Sequence, residues 1–415
     1  MNSIYDVLII GGGAAGLCAS VILKKNNPSL KVAVLEQLAR VGKKLIVTGN
    51  GRCNITNNNL SLKNFHSESD DFLKSVLNRY NFKETKAFFE DLGILFTCDD
   101  RGRVYPNSLQ ASSVVDALRF AAEDNGVEIY TETKMLFYEK NGNKILVKTD
   151  KGDFIGKTLL ITTGLFSGGK KMGSDGATFN LMKNKGYKSV KVTPAIVQLR
   201  TETDVVRQLK GIKVDAIATL KCNGKVVRKE FGEVLFCDYG LSGPPIMQIS
   251  RAVERENSAK TVCLDLMPLY DFDNLCEMLK NRANTLKLRK AEEFFTGFLN
   301  KRVGQIIVKL SGLKLSDEVS KFTFTNIKKL ASLIKCLSFN VLSSSGFENS
   351  QVTAGGLSLT EFDNITLMSK RESGVFAAGE ILDVDGDCGG YNLQWAWSSA
   401  FCAANGINKY LGGAK

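Results

Sequence analysis

The chain opens with two alternating patterns of apolar and polar positions. "YDVLII" (5–10) is a short apolar strand, broken only by Asp6. "GGGAAG" (11–16) breaks it, and "LCASVILKKN" (17–26) then repeats at helical spacing. "KVAVLE" (31–36) is a second strand that ends in an acid. Similar runs recur in "KTLLITTG" (157–164) and "GVFAAGE" (374–380), and the latter leads through a glycine loop into a helix of small residues. The start, the middle and the far end of the chain therefore predict one α/β domain with a parallel sheet. The intervening pattern is different. "TPAIVQLRTE" (193–202), the segment 214–244 and "KTVCLDLMP" (260–268) alternate with period two, with Asn223-Gly224 as a hairpin turn. Residues 273–335 have helical period, and 337–359 return to β. The expected organisation is a first domain over 1–190 and 355–415, a β-rich insertion over 191–272 plus 336–354, and a small helical domain over 273–335.

Composition narrows the class. A chain of 415 residues, 44% hydrophobic and 24% charged, suits a soluble globular protein of two or three domains. Ten cysteines without a CxxC motif read as reduced thiols in a cytoplasmic protein. The N-terminal residues carry neither a basic leader nor a cleavage site, and no apolar run is long enough to span a membrane. A lone histidine, His66, excludes a multi-histidine metal centre, so no metal is expected; His66 itself reads as a surface residue. The net charge of +12 raises the question of a nucleic-acid partner. The basic residues are spread along the sequence, however, and their densest run (286–302) is interrupted by acids and apolar positions. That run reads as a solvated helix face. A monomer acting on a small molecule is expected, with no nucleic acid.

The glycine turn is the first chemical signal. Gly11, Gly13 and Gly16 lie in G-x-G-x-x-G register between a strand and a helix. Gly11 makes the tight turn, Gly13 admits a pyrophosphate, and Gly16 lets the helix approach the sheet. The helix N-terminus presents free N–H groups and the positive end of its dipole to phosphate. Glu36, at the end of the second strand, suits the hydroxyls of an adenosine ribose and would repel a 2′-phosphate. A return of the chain's far end to this domain suits a two-dinucleotide flavoprotein, whose late strand and helix cover the ribityl chain and ring.

"GGGAAG", "GKKLIVTGNGRCNITN" (42–57), "ITTG" (161–164) and "AAGEILDVDGDCGGYNLQWAWSSAF" (377–401) together resemble the BaiN-like, aminoacetone-oxidase-type family of FAD-binding oxidoreductases, over essentially the whole chain. Ala400 stands where the family motif ends in glycine, a mild change. The resemblance implies a Rossmann-type FAD domain, an inserted antiparallel β domain and a small helical domain. It implies tight, non-covalent FAD held by Gly11, Gly13, Ala14, Ala15, Gly16, Glu36, Lys43, Lys44, Gly51, Cys53, Asn54, Gly164, Gly379, Glu380, Asp385, Gly390, Asn392 and Gln394. It also puts the loop "TGNGRCNITNNN" (48–59) against the flavin ring. There Asn50 and Asn54 suit the pyrimidine edge, Arg52 is a cation for developing negative charge, and Cys53 is a packing group or a redox thiol. Tyr391 is either a proton donor or a ring-packing residue. Cys388 is a conceivable redox partner of Cys53. Trp395 and Trp397 read as core. The insertion is expected to roof a substrate cavity.

Two activities are open on these grounds. One is reduction of a conjugated carbonyl compound with NAD(P)H as transient electron donor. The other is O₂-linked oxidation of a small amine or aminoketone. An RNA-linked flavoprotein and a non-catalytic FAD-binding protein are the readings from other classes.

Overall fold

In the computed structural model of the chain, which describes residues 4–255 and 258–412, the first apolar run forms the strand Ile4–Ile10 inside a seven-stranded sheet. Across the sheet the order is Glu128–Tyr130, Val32–Leu35, Ile4–Ile10, Gly152–Ile161, Lys144–Thr149 and Met135–Asn141, with Val375–Ala377 also beside Gly152–Ile161. The strands drawn from the start, middle and far end of the chain lie parallel and adjacent, as their apolar runs predict. Val7, Leu8 and Ile9 are fully buried. The strand Gly152–Ile161 changes partner along its length: Gly152–Gly156 pair antiparallel with Lys144–Thr149, and Leu159–Ile161 pair parallel with Val375–Ala377. The predicted third strand thus begins earlier than its apolar run, and Thr162-Thr163-Gly164 is already loop.

The helices Ala14–Asn26 and Tyr391–Gly412 pack against each other, and small residues set how closely the backbone approaches. Small residues also seat each helix on its surroundings: a Cβ on Gly16 would lie 1.9 Å from the Gly11 carbonyl oxygen at the glycine turn, and one on Gly406 would lie 2.3 Å from that of Thr366. Trp395 and Trp397 are buried, as expected, and each indole N–H is satisfied: Trp395 donates to the Gly379 carbonyl at 3.1 Å, and Trp397 to that of Ile55 at 2.9 Å.

Two compact units result, one formed by the chain up to Pro194 and from Phe347 onward, the other by Ala195–Gly346. In the second, the alternating segments close into a six-stranded barrel. Its order is Leu199–Thr201, Gly240–Ser242, Lys225–Cys237, Lys213–Cys222, Lys260–Asp265 and Leu337–Ser344. Asn223 (φ 47°) and Gly224 (φ 78°) make the predicted hairpin turn. The helices Phe272–Thr285, Lys301–Leu310 and Phe324–Lys335 are capped by Asp271, Asn300 and Thr323. They share one hydrophobic core with the barrel, where Phe236 and Val262 meet Leu279, Phe294, Ile307 and Leu330. The expectation of reduced thiols fails at one pair: Cys263 and Cys336, brought together at the base of the helical segment, form a disulfide. The eight other cysteines form no disulfide.

Phe236 is fully buried in that shared core. Phe236→Ala should therefore cost about 3–5 kcal/mol. Hydrogen exchange should show lost protection in both the barrel and its helices, with the amides of Ile4–Ile10 unaffected.

Candidate functional site

The carboxyl ends of four parallel strands form one row. Leu35 pairs with Ile10, Ile10 with Ile161, and Ile161 with Ala377. Immediately beyond the row lie Gly11, Glu36, Thr162 and Ala378-Gly379-Glu380. In an open α/β sheet the crevice outside these ends is where ligands bind. Gly11 (φ 103°) turns the chain there, under the Thr162 hydroxyl, which donates to the carbonyls of Ile10 and Gly11 at 2.9 and 2.8 Å. Nothing lies within 4 Å of a Cβ built on Gly13, Gly51 or Gly164, so all three leave room for a ligand. The helix Ala14–Asn26 has no side-chain cap at its N-terminus, which leaves its first amides for an anion.

Charged residues around the crevice are held by the fold. Glu36 accepts the Gly12 N–H on one oxygen and the Leu38 N–H on the other, each at 2.8 Å. Burial raises its pKa, and these N–H groups oppose the shift. Lys44 pairs with Glu380 at 2.7 Å and donates to the Ser167 hydroxyl. The other Glu380 oxygen accepts from Ser167 at 2.6 Å and from the Thr353 N–H at 3.2 Å. Ser167 and Thr353 carry no motif, and sequence reasoning missed them.

The asparagine-glycine loop and the late glycine loop are stitched together. Asn57 donates to the Gly389 carbonyl at 2.9 Å. A Cβ on Gly390 would lie 2.5 Å from the Thr56 carbonyl oxygen and 2.8 Å from Asn54 Oδ1. Asn54 is buried, and Oδ1 has no hydrogen-bond partner. Arg52 lies over the Tyr105 ring, with Cζ 4.8 Å from its centroid, and its Nε donates to the Gly49 carbonyl. Cys53 is fully buried at φ 59°, and burial pushes its thiol up to about 12 despite a hydrogen bond with Thr48. That environment suits packing better than redox work. Cys388 is exposed and forms no disulfide. Tyr391 is buried edge-on to Phe65; burial first, then the charge of Asp387, raises its pKa.

Three side chains make contacts that the sequence did not anticipate. Gln394 is fully buried and turned into the protein: its oxygen accepts from Thr56, and its nitrogen donates to Thr85 and Ser398 at 2.8 and 2.9 Å. Asn392 likewise spends its amide on the carbonyl and N–H of Gly386, each at 2.8 Å. Both side chains therefore hold the loop. His66 is not a plain surface residue. It pairs in a short strand with Asp385, and its Nε2 is 3.1 Å from the Asp387 carboxylate, beside the late loop. Asp385 itself is buried in that strand.

Open glycines, an uncapped helix end and an orphaned amide oxygen together fit a bound dinucleotide with a polar ring edge. Lys43 and Lys44 begin a short helix after Gly42, and Gly379 (φ 78°) abuts Ala15. Ala14 and Ala15 open the first helix. Among the described residues no histidine, cysteine or carboxylate cluster could hold a metal, and no helix is long and apolar enough to cross a membrane.

Comparison with known proteins gives the site a context. Residues 5–406 match the model of the HI0933-like protein Rossmann domain. The chain is 32% identical to a 3-dehydro-bile acid delta(4,6)-reductase of Clostridium scindens, over 95% of this chain and 97% of that one. It is 26% identical to a ribosomal RNA dihydrouridine synthase of Haemophilus influenzae, over 99% of this chain and all of that one. A 3-ketosteroid delta1-dehydrogenase from Sterolibacterium denitrificans shares the fold, with a TM-score of 0.51 at 13% identity over 98% of this chain and 99% of that one.

Two variants separate scaffold from cradle. Asn54→Ala removes an oxygen with no partner in the protein. It should leave the melting of the ligand-free protein nearly unchanged and weaken FAD by about 1–3 kcal/mol, read by flavin fluorescence titration. Glu36→Ala frees two backbone N–H groups and should lower both. Cys53 should resist a thiol reagent at pH 8 while Cys98 and Cys388, both exposed, react. Its raised pKa means that the folded state keeps a proton which the unfolded chain releases. Stability should therefore fall as pH rises from about 9 toward 12, and Cys53→Ala should flatten that fall.

Proposed function

The chain belongs to the HI0933-like Rossmann family, and on that premise we propose that this FAD-dependent oxidoreductase reduces a carbon–carbon double bond conjugated to a carbonyl. The observation that carries the reading is the full-length likeness to a protein named as a delta(4,6)-reductase of a 3-dehydro bile acid, whose name describes that bond type. A dihydrouridine synthase, by its name, saturates a uracil double bond that is also conjugated to a carbonyl. The two names share a chemistry although their substrates differ in size.

Bound FAD would supply the hydride, with NAD(P)H as the proposed transient donor. The chain supplies positioning and polarity. Gly11, Gly13 and the first amides of the helix Ala14–Asn26 would hold the pyrophosphate, Glu36 the ribose, and Asn54 the polar ring edge. A conjugated carbonyl gathers negative charge as its far carbon is reduced, and a fixed cation lowers the cost of that charge. Arg52, braced on Tyr105, is the candidate for that role. The near carbon needs a proton. Tyr391 keeps its hydroxyl protonated because burial and Asp387 both disfavour the phenolate, and it is our candidate donor.

A second reading, a uracil within RNA as substrate, is favoured by where the charge lies. The unit Ala195–Gly346 contains 24 Lys and Arg against 16 Asp and Glu, within whole-chain totals of 55 and 43. Eight of the twelve net charges therefore belong to the inserted unit.

Anaerobic mixing tests both readings. NADH or NADPH should bleach the flavin, and a 4-en-3-one steroid or a uridine-containing RNA should then restore its colour without O₂. Recovery with the RNA alone selects the second reading. Recovery only on admitting air would overturn both and select an oxidase.

A further inference from the structure

The barrel unit carries a cavity lined by none of the residues assigned above to the cofactor. It has a volume of about 480 Å³, within the range of ligand sites, and every residue lining it lies between positions 200 and 343. Arg200 comes from the strand Leu199–Thr201 and Arg207 from the short helix Thr203–Gln208. Among the described residues neither guanidinium makes an ion pair, and the one carboxylate in the wall, Asp238, is held by Lys210 at 2.7 Å. Asp238 thus answers Lys210 at close range and Arg207 only at longer range, so the two guanidiniums carry more positive charge into the cavity than its wall offsets.

Its wall is shaped by a break in strand register. Arg200 pairs with Ser343 and Thr201 with Val341, so Leu342 is the extra residue of a bulge and stands 67% exposed. Bulges at barrel rims re-aim side chains, commonly beside functional sites. This one turns Leu342 and Ser343 toward the same opening that Arg200 faces. The Tyr239 ring is the aromatic surface of the cavity, with the Arg200 Cζ 5.8 Å from its centroid. Burial first, then the neighbouring Cys237, pushes Tyr239 up to about 12, so its hydroxyl is a donor at neutral pH. Thr203 and Ser343 add hydroxyls.

We propose that this cavity binds a nucleotide unit, its phosphate between Arg200 and Arg207 and its flat ring against Tyr239 and Leu342. Two arginines from separate elements offer planar forks of N–H donors that match phosphate oxygens, and the tyrosine and leucine supply a surface for stacking. The unit could come from a free pyridine dinucleotide or from an RNA strand, which present the same chemistry. No residue lining the site belongs to the cofactor cradle, while the two sources rest on the donor and the second substrate proposed above.

Calorimetric titration of the fully FAD-loaded protein with AMP and with adenosine tests the proposal, using wild type, Arg200→Gln/Arg207→Gln and Tyr239→Leu. AMP should bind. Adenosine and the double arginine variant should each show about tenfold or more weaker binding, the loss expected for charge-assisted hydrogen bonds. Tyr239→Leu should weaken AMP and adenosine alike. Flavin content and melting temperature should not change, because both arginines are exposed. NADPH and a short single-stranded RNA, titrated into the same proteins, identify the source by which of them loses affinity in the arginine variant. AMP binding that is absent in the millimolar range, or unaltered by the double substitution, would overturn the site.

Discussion

The site depends on one row of pairing in the parallel sheet: Leu35 to Ile10, Ile10 to Ile161 and Ile161 to Ala377. Every residue of the cofactor crevice that comes from a strand end lies just past this row. Neighbouring strands are about 4.8 Å apart, so the row spreads its four chain exits over roughly 15 Å. Slipping any strand by one residue would exchange its buried faces and displace its exit. The apolar side chains that make the sheet insoluble in any other register therefore also place Gly11, Glu36 and Gly379. Packing and site geometry are one constraint, enforced by strands such as Val7–Ile9 that are buried on both faces.

Around the crevice, polar groups divide by whether the protein has already satisfied them. Gln394, Asn392 and Glu380 have partners in the fold and keep the loops rigid. The Asn54 oxygen and the first amides of the helix Ala14–Asn26 are left open. A buried acceptor without a partner costs free energy in the empty protein, so the fold holds in reserve a term that a ligand can recover. That division identifies ligand-facing groups more sharply than position in a motif does.

Much of the architecture was legible because it follows from period. The strands, the glycine turn, the Asn223-Gly224 hairpin and the long last helix each rest on local spacing that the chain displays directly. What period leaves open is orientation. Gln394 and Asn54 both sit in long motifs and both are buried, yet the Gln394 amide is satisfied while the Asn54 oxygen has no partner among the described residues; the neighbours that decide this are hundreds of positions away. His66 looked solvent-facing because its sequence neighbours are polar, but its environment is set by pairing with Asp385. Closure of the barrel, the double allegiance of Gly152–Ile161, and the Cys263–Cys336 pair are likewise products of topology. No spacing rule connects two cysteines 73 residues apart.

Charge shows the same difference between sequence and space. Read along the chain, the basic residues are scattered, which argued against an anionic partner. Grouped by folded unit, they are not: the inserted unit has the larger share of the excess, and within it two arginines without ion pairs converge on one cavity. A cation without a partner at a surface is solvated at little cost, so an isolated one means nothing. Two that line one cavity, beside an aromatic ring, offer an anion more than either does alone, because one phosphate can accept from both. The sheet unit holds the glycine turn and the buried carboxylate of the family's cofactor fold; the barrel unit holds most of the excess positive charge.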